Sequence, residues 1–112
     1  MRVTGYRFGR VEVEGKEWTE DVMVLPSGAY SWQRREGHRL HPEDLESALA
    51  HSPQVIIVGT GYSGMLRVTP EAEQLAREKG VELLTLKTGE AVEAFSELVH
   101  TKRVCALLHL TC

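Results

Sequence analysis

The segment "VIIVGTGYSG", residues 55–64, places four apolar residues directly before a loop that contains three glycines. A short apolar run bounded by glycine is typical of a strand that is covered on both faces, as in a parallel sheet. The glycines also have the spacing G-x-G-x-x-G of a dinucleotide-binding turn. The segment therefore predicts a buried central strand and raises the question of whether a ligand binds where that strand ends.

Strand and helix patterns alternate from residue 54 to the end of the chain. Thr69 and Pro70 provide the N-cap and first turn of a helix, and Gly80 provides the left-handed residue that ends it. The predicted order is strand 54–58, helix 69–80, strand 81–86, a helix capped by Thr88, and strand 103–110. This alternation predicts right-handed crossovers and a largely parallel sheet.

The first third of the chain has period two instead. Tyr6 and Phe8 alternate with polar residues and glycine, as do Val11 and Val13, and the turn "PSG" separates two further apolar runs. We interpret this region as an N-terminal β-meander, followed by a short helix in "HPEDLESALA". The predicted fold class is α/β, with a mixed, mostly parallel central sheet flanked by helices and joined to the meander.

Composition narrows the class of protein. The chain has 112 residues, 42% hydrophobic and 26% charged, which predicts one folded domain over residues 1–112. The net charge of −3 argues against nucleic-acid or anionic-membrane binding. Because no signal sequence or membrane span is evident, we expect a soluble cytoplasmic protein. Cys105 and Cys112 are predicted on opposite faces of one strand, and therefore reduced.

The glycine loop does not match either enzyme motif that it resembles. A dinucleotide site needs a helix that starts at the third glycine, but the helix signal begins only at Thr69. The next strand also ends in Lys87 and Thr88 rather than in the acid that binds ribose. Ser63 is followed immediately by Gly64, which breaks the nucleophile-elbow spacing G-x-S-x-G. We therefore predict no dinucleotide, no other cofactor and no complete catalytic set.

A weaker ligand hypothesis follows from topology. Ligands collect beyond the carboxyl ends of parallel strands, so strands 54–58 and 81–86, if adjacent, would bring their two exit loops together at one edge. A small anion is the predicted ligand, with solvated loops as the alternative. The candidate ligand-binding residues are Gly59, Thr60, Gly61, Ser63, Lys87 and Thr88.

A second candidate surface lies in the most basic stretch, "WQRREGHRLH", residues 32–41. Trp32 with Arg34 and Arg35 could stack on a partner or grip an anion. The alternative, which we prefer, is a charged hairpin end with Trp32 folded onto the core. No metal site is predicted, because His109 and Cys112 are only two ligands and no further paired spacing accompanies them.

The whole chain resembles the adipogenesis-associated, Mth-type domain family, which also includes relatives of a mitochondrial complex I assembly factor. The resemblance is carried by "PSG" before Trp32, by "VIIVGTGYSGMLRV", by "LKTGEAVEAF" and by the ending "HLTC". It implies a three-layer fold, no established catalytic activity and binding to other proteins. It also implies that the loop of Gly59, Gly61 and Ser63 is a surface shared across the family.

Two functions from different classes remain. The leading hypothesis is a noncatalytic binding or assembly-assisting domain that acts through an unknown protein partner. The alternative is a small-molecule or phosphate-binding enzyme that uses the edge from Gly59 to Gly64. Self-association also stays open, because an edge strand of the meander could pair with a second copy or be blunted by its glutamates.

Overall fold

Ten strands, three α-helices and one 3-10 helix follow one another in the computed structural model, which describes all 112 residues. The strands are β1 (Val3–Arg7), β2 (Arg10–Val13), β3 (Lys16–Trp18), β4 (Val22–Leu25), β5 (Gly28–Ser31), β6 (Arg39–Leu40), β7 (Val55–Thr60), β8 (Arg67–Val68), β9 (Glu82–Leu86) and β10 (Val104–His109). The 3-10 helix (Pro42–Leu45) precedes α1 (Glu46–Leu49), and α2 (Pro70–Glu78) and α3 (Thr88–Leu98) follow later.

The centre of the molecule is a five-stranded mixed sheet with the strand order β5-β4-β10-β7-β9. β7 runs parallel to both of its neighbours, whereas β4 runs antiparallel to β5 and β10. All six residues of β7 are buried, and so are all six of β10. This burial confirms the predicted central strand. Apolar side chains on both faces of a strand are stable only where both faces are covered.

The two faces of this sheet are covered by different elements. Side chains of β7 alternate, so that Val55 and Ile57 pack with α3 and the β1–β3 strands, and Ile56 and Val58 pack with α1 and α2. This alternation gives the sheet two separate hydrophobic cores. The predicted three-layer α/β architecture is therefore confirmed.

The meander is divided differently from the prediction. β1, β2 and β3 form an antiparallel sheet of their own, whereas β4 and β5 belong to the central sheet. The physical reason lies in β4, where Val22 and Val24 enter one core while Leu25 enters the other. A strand with apolar side chains on both faces is favoured inside the central sheet rather than in a half-exposed meander.

Helix ends agree with the local signals for α2 but not for the other two helices. The Thr69 side chain accepts a hydrogen bond from Ala72 N at 3.1 Å, and Gly80 has φ +70° after α2. The predicted cap at Thr88 is wrong, since Lys87 is the N-cap of α3 and Thr88 is its first residue. The helix predicted in "HPEDLESALA" is a 3-10 turn followed by one α-helical turn.

The cysteines lie in different surroundings. Cys105 is buried in β10, whereas Cys112 is exposed and lies beyond the end of that strand, so the predicted placement of both on one strand is wrong. Both are free thiols, as predicted. None of the three helices is long and apolar enough to cross a bilayer.

Candidate functional site

The glycine loop and the start of α3 lie at one edge of the central sheet. This follows from the pairing of β7 with β9, which places the exits of both strands side by side. Thr88 N donates to Gly61 O at 3.1 Å and joins the two loops directly. The predicted meeting of the two loops is confirmed.

Several predicted ligand-binding groups are occupied by internal contacts. The Thr88 hydroxyl is buried; it accepts from Gly61 N at 2.8 Å and donates to His109 O at 2.6 Å. The Thr60 hydroxyl donates to Leu86 O at 3.0 Å. These groups hold the edge together, because a buried polar group needs a partner. Of the predicted set, Ser63 and Lys87 are exposed.

Gly59 and Gly61 are required by close packing. A Cβ on Gly59 would lie 2.9 Å from Thr88 Oγ1. Gly61 has φ +108°, and a Cβ there would lie 2.5 Å from the main-chain carbon of Cys112. The G-x-G spacing therefore lets the loop sit against α3 and against the segment that follows β10.

That segment also accepts hydrogen bonds from two amides of the loop. Tyr62 N donates to Thr111 O at 2.7 Å, and Met65 N donates to Cys112 O at 2.9 Å. An anion-binding loop must instead direct free amides at its ligand. Close packing thus accounts for Gly59 and Gly61 without a phosphate, and only the Ser63 and Gly64 amides of the loop donate no hydrogen bond.

The same segment holds the turn between β1 and β2. Leu110 O accepts hydrogen bonds from Gly9 N at 2.9 Å and from the Tyr6 hydroxyl at 3.0 Å. Burial raises the pKa of Tyr6, which keeps this hydroxyl protonated as a donor. The β1–β2 turn and the glycine loop are therefore fixed to adjacent residues of one segment.

An open cleft of about 820 Å³ lies between these two loops and α3. Phe8 and Tyr62 meet edge to face on its rim, with ring centroids 6.1 Å apart, and are 58% and 61% exposed. We call this cleft the aromatic cleft. Its lining residues are Tyr6, Arg7, Phe8, Tyr62, Lys87, Gly89, Glu90 and Glu93.

Charges of both signs line the aromatic cleft. Arg7 and Lys87 contribute positive charge, and the free amides of Gly89 and Glu90 add the partial positive charge of the α3 N-terminus. Lys87, the N-cap, provides no side-chain hydrogen bond to these amides. The glutamates along the first two turns of α3 make the other wall acidic.

The basic stretch does not form the surface that its composition suggests. Trp32 is buried and packs in the core, as the preferred alternative predicts. The Arg34 side chain is only 6% exposed; it pairs with Asp21 at 2.7 Å and stacks over the Trp32 ring. Arg35 is exposed and pairs with Glu43 at 3.2 Å. Trp32 and Arg34 are therefore engaged in internal contacts. Arg34 pairs with Asp21 because a buried charge requires a partner.

Asp21 is a polar anchor that the sequence alone does not reveal. Its carboxylate contacts Arg34 at 2.7 Å, His109 Nδ1 at 2.8 Å and Leu110 N at 2.8 Å. Burial opposes its ionisation, but the hydrogen bonds that it receives outweigh burial and lower its pKa. Asp21 is therefore ionised at neutral pH and ties the β3–β4 loop to the end of β10.

In comparisons with known proteins, residues 3–109 match the family described as a protein of unknown function, DUF498/DUF598. This match covers nearly the whole chain. The chain belongs to this family.

Solved structures agree with the assignment of this DUF498 domain. It is 35% identical to the conserved hypothetical protein PH1505 from Pyrococcus horikoshii OT3, with a TM-score of 0.91 over 100% of both chains. A structure described as MT938 is 28% identical, with a TM-score of 0.83 over 99% of this chain and 98% of that one. A Bordetella pertussis protein described as a Mth938-like domain shares the fold at 21% identity, with a TM-score of 0.77 over 97% of this chain and 85% of that one. The resemblance to the Mth-type domain family is confirmed.

The rim of the aromatic cleft in this DUF498 domain could not be predicted from sequence spacing. Phe8 and Tyr62 are 54 positions apart and become neighbours only because both loops bind the residues after β10. One local signal was present, since Phe8 stands beside the glycine of a tight turn, where a large apolar side chain has no core to enter.

Proposed function

We propose that this domain is a noncatalytic binding module that docks a protein partner at the aromatic cleft. The main observation that supports this proposal is that Phe8 and Tyr62 form an exposed aromatic pair. Rigid, exposed aromatic residues provide large contact areas at low entropic cost and are enriched among interface hot spots. Both residues stand on loops that are hydrogen-bonded to the interior, so the surface is held ready for docking.

The lining of the cleft indicates the chemistry of the partner. An apolar side chain of the partner would pack against Phe8 and Tyr62, and an adjacent carboxylate would lie near Lys87 and the free amides of α3. A basic group would face the glutamates of α3. The proposed partner segment is therefore an exposed loop with an apolar residue flanked by charges of both signs.

A noncatalytic role fits the residues that line the cleft. They include no histidine, cysteine or serine, and so lack the Ser–His and Cys–His pairs that activate many nucleophiles. The family description, a protein of unknown function, favours no reaction either. A surface of this composition is suited to binding rather than to turnover.

The test compares cleft variants in partner capture. Wild-type protein, the double variant Phe8→Ala/Tyr62→Ala and the control Tyr30→Ala are each used to capture proteins from a lysate of the source organism. Tyr30 is 42% exposed and does not line the cleft, so it controls for the loss of a surface aromatic residue. A stoichiometric partner should bind wild type and the control but not the double variant.

Titration calorimetry with the captured partner then gives the size of the effect. Loss of a hot-spot residue costs at least about 2 kcal/mol, which corresponds to a dissociation constant roughly 30-fold higher. Circular dichroism should show that all three proteins are folded. Equal affinity of the partner for wild type and the double variant would contradict docking at this cleft.

The alternative function, a small-molecule or phosphate-binding enzyme, has one observation in its favour. The cleft volume of about 820 Å³ falls within the range of small-ligand sites, and Lys87 offers a positive charge there. A thermal-shift screen with phosphate, nucleotides and small carboxylic acids tests it. A ligand at 100 times its dissociation constant adds about 2.7 kcal/mol to stability. A shift that Lys87→Met abolishes would favour this alternative, and no shift with any compound would reject it.

A further inference from the structure

Three metal-ligating side chains meet outside the aromatic cleft. His38, His109 and Cys112 each place one ligand atom within 4.8 Å of the other two. The Cys112 Sγ lies 3.8 Å from His38 Nε2, and the two histidine rings meet edge to face with centroids 5.9 Å apart. His38 precedes β6, His109 ends β10, and Cys112 lies three residues further on, so the fold rather than the local sequence assembles the group.

His109 is the member of this group that points most directly to a ligand. Its side chain is only 6% exposed, and its Nε2 is buried without any hydrogen-bond partner. The other ring nitrogen, Nδ1, lies 2.8 Å from Asp21. Arg34 Nη2, which can only donate, also lies near Nδ1, at 3.3 Å, but the Asp21 carboxylate is closer and can only accept, so Nδ1 donates to Asp21. In the neutral ring, the unpartnered Nε2 then carries a lone pair.

An unpartnered buried lone pair is unfavourable unless something binds it. The Cδ2 edge of the His109 ring, which is next to Nε2, faces the main chain of Cys112 across Gly61, because a Cβ on Gly61 would contact both. The unpartnered Nε2 of His109 therefore lies on the side of the ring that faces Cys112. A carboxylate hydrogen-bonded to the far nitrogen is also the usual outer-shell partner of a metal-bound histidine.

We propose that His38, His109 and Cys112 bind one Zn²⁺ ion, with Asp21 orienting His109. Two imidazole nitrogens and one thiolate are ligands that suit zinc, and three protein ligands leave a fourth position for water or a ligand. The nearby Arg34 guanidinium does not oppose the site strongly, because Asp21 pairs with it at 2.7 Å. Binding deprotonates the Cys112 thiol and releases that proton to solvent.

The test uses Co²⁺ as a spectroscopic substitute for Zn²⁺, with the 112-residue chain kept reduced by a non-thiol reductant. Co²⁺ titration should saturate at one equivalent and show a thiolate-to-cobalt charge-transfer band together with visible bands of tetrahedral coordination. Zn²⁺ should then displace Co²⁺ and remove both sets of bands. Elemental analysis after gel filtration should find one zinc per chain.

Ligand variants decide between this site and nonspecific binding. Cys112→Ser should lose the charge-transfer band, and His38→Ala should weaken Co²⁺ binding by more than about 10-fold, since even outer-shell changes cost this much. Both residues are exposed, so both variants should remain folded. His100→Ala removes another exposed histidine and is the matched control.

Two outcomes would overturn the proposal. One is the absence of a charge-transfer band from the wild-type protein, and the other is Co²⁺ affinity that is equal in wild type, Cys112→Ser and His38→Ala. The Phe8→Ala/Tyr62→Ala variant should bind Co²⁺ normally, because its substitutions lie in the aromatic cleft. Failure of the metal site is therefore distinguishable from failure of partner docking.

Discussion

Single glycines in the loop after β7 have different structural requirements, although Gly61 and Gly64 both have positive φ, at +108° and +79°. A Cβ on Gly61 would lie 2.5 Å from the main-chain carbon of Cys112, whereas a Cβ on Gly64 would have nothing nearer than 3.5 Å. Dihedral strain of about 1–2 kcal/mol applies to both positions, but only Gly61 also has a steric clash with backbone.

Gly61→Ala should therefore lower the free energy of unfolding by about 1–3 kcal/mol more than Gly64→Ala does. The measurement is urea unfolding of both variants and wild type, followed by circular dichroism. Gly64→Ala is the matched control, since it introduces the same methyl group in the same loop. Equal destabilisation by the two variants would show that Cys112 does not pack against Gly61.

The buried thiol of Cys105 makes the free energy of unfolding depend on pH in the alkaline range. Burial raises the pKa of its thiol from 9.0 to about 11, so the folded state holds this proton more tightly than the unfolded state does. The contribution of the thiol is fully present below the unfolded pKa and is lost as the pH rises through the folded pKa. The stability advantage of wild type over Cys105→Ala should therefore shrink between pH 9 and about 11.

Unfolding of both proteins by urea at a series of pH values checks this expectation. Taking the difference between the two proteins cancels the effect of Tyr6, whose pKa is also raised. A difference that stays constant across this pH range would mean that water reaches the thiol in the folded state.

One buried hydroxyl group contacts β10, the N-terminus of α3 and the loop after β7. Thr88 Oγ1 accepts from Gly61 N and donates to His109 O, and so connects these three parts of the chain in the interior. Thr88→Val keeps the side-chain shape but leaves both backbone groups without a partner. It should lower the free energy of unfolding by about 2–6 kcal/mol, since each of the two buried unsatisfied groups costs about 1–3 kcal/mol.

Thr85→Val is the control for this substitution, because Thr85 lies exposed on β9 and makes no side-chain hydrogen bond. Valine is well tolerated in strands, so the control should remain within about 0.5 kcal/mol of wild type. Thermal or urea unfolding measures both. A Thr88→Val protein as stable as the control would mean that water replaces the hydroxyl.

Elements with strong periodic or capping signals were predictable from sequence. The apolar run of β7 and the cap at Thr69 each depend on neighbours within a few residues, so a local sequence pattern is enough to predict them. The division of the N-terminal strands between two sheets was not predictable, because the pattern of β4 shows burial but not which strand lies beside it. The aromatic cleft and the His38–His109–Cys112 group depend on contacts between residues far apart in the chain, and no local signal shows which distant residues meet.

Across the whole molecule, the three residues after β10 connect both candidate sites. Leu110 holds the β1–β2 turn, Thr111 holds Tyr62, and Cys112 holds Met65 through main-chain hydrogen bonds. Cys112 also belongs to the proposed zinc site. One short segment therefore positions the rim of the aromatic cleft from one side and contributes a thiol on the other.

Hydrogen exchange can test whether this segment organises the loops. The amides of Gly9, Tyr62 and Met65 lie outside strands but donate to its carbonyls at 2.7–2.9 Å. They should exchange slowly, since each must break a tertiary hydrogen bond to open. Ser63 and Gly64, between two protected amides, donate no hydrogen bond and serve as internal controls.

The expected difference between the two sets, corrected for intrinsic exchange rates, is more than about tenfold, or about 1.4 kcal/mol of opening free energy. Residue-resolved exchange measured by NMR gives both sets in one experiment. If Tyr62 and Met65 exchange as fast as Ser63, the loop is not held by residues 111 and 112. The Phe8–Tyr62 rim would then be formed only when a partner binds, and affinity would carry the cost of ordering it.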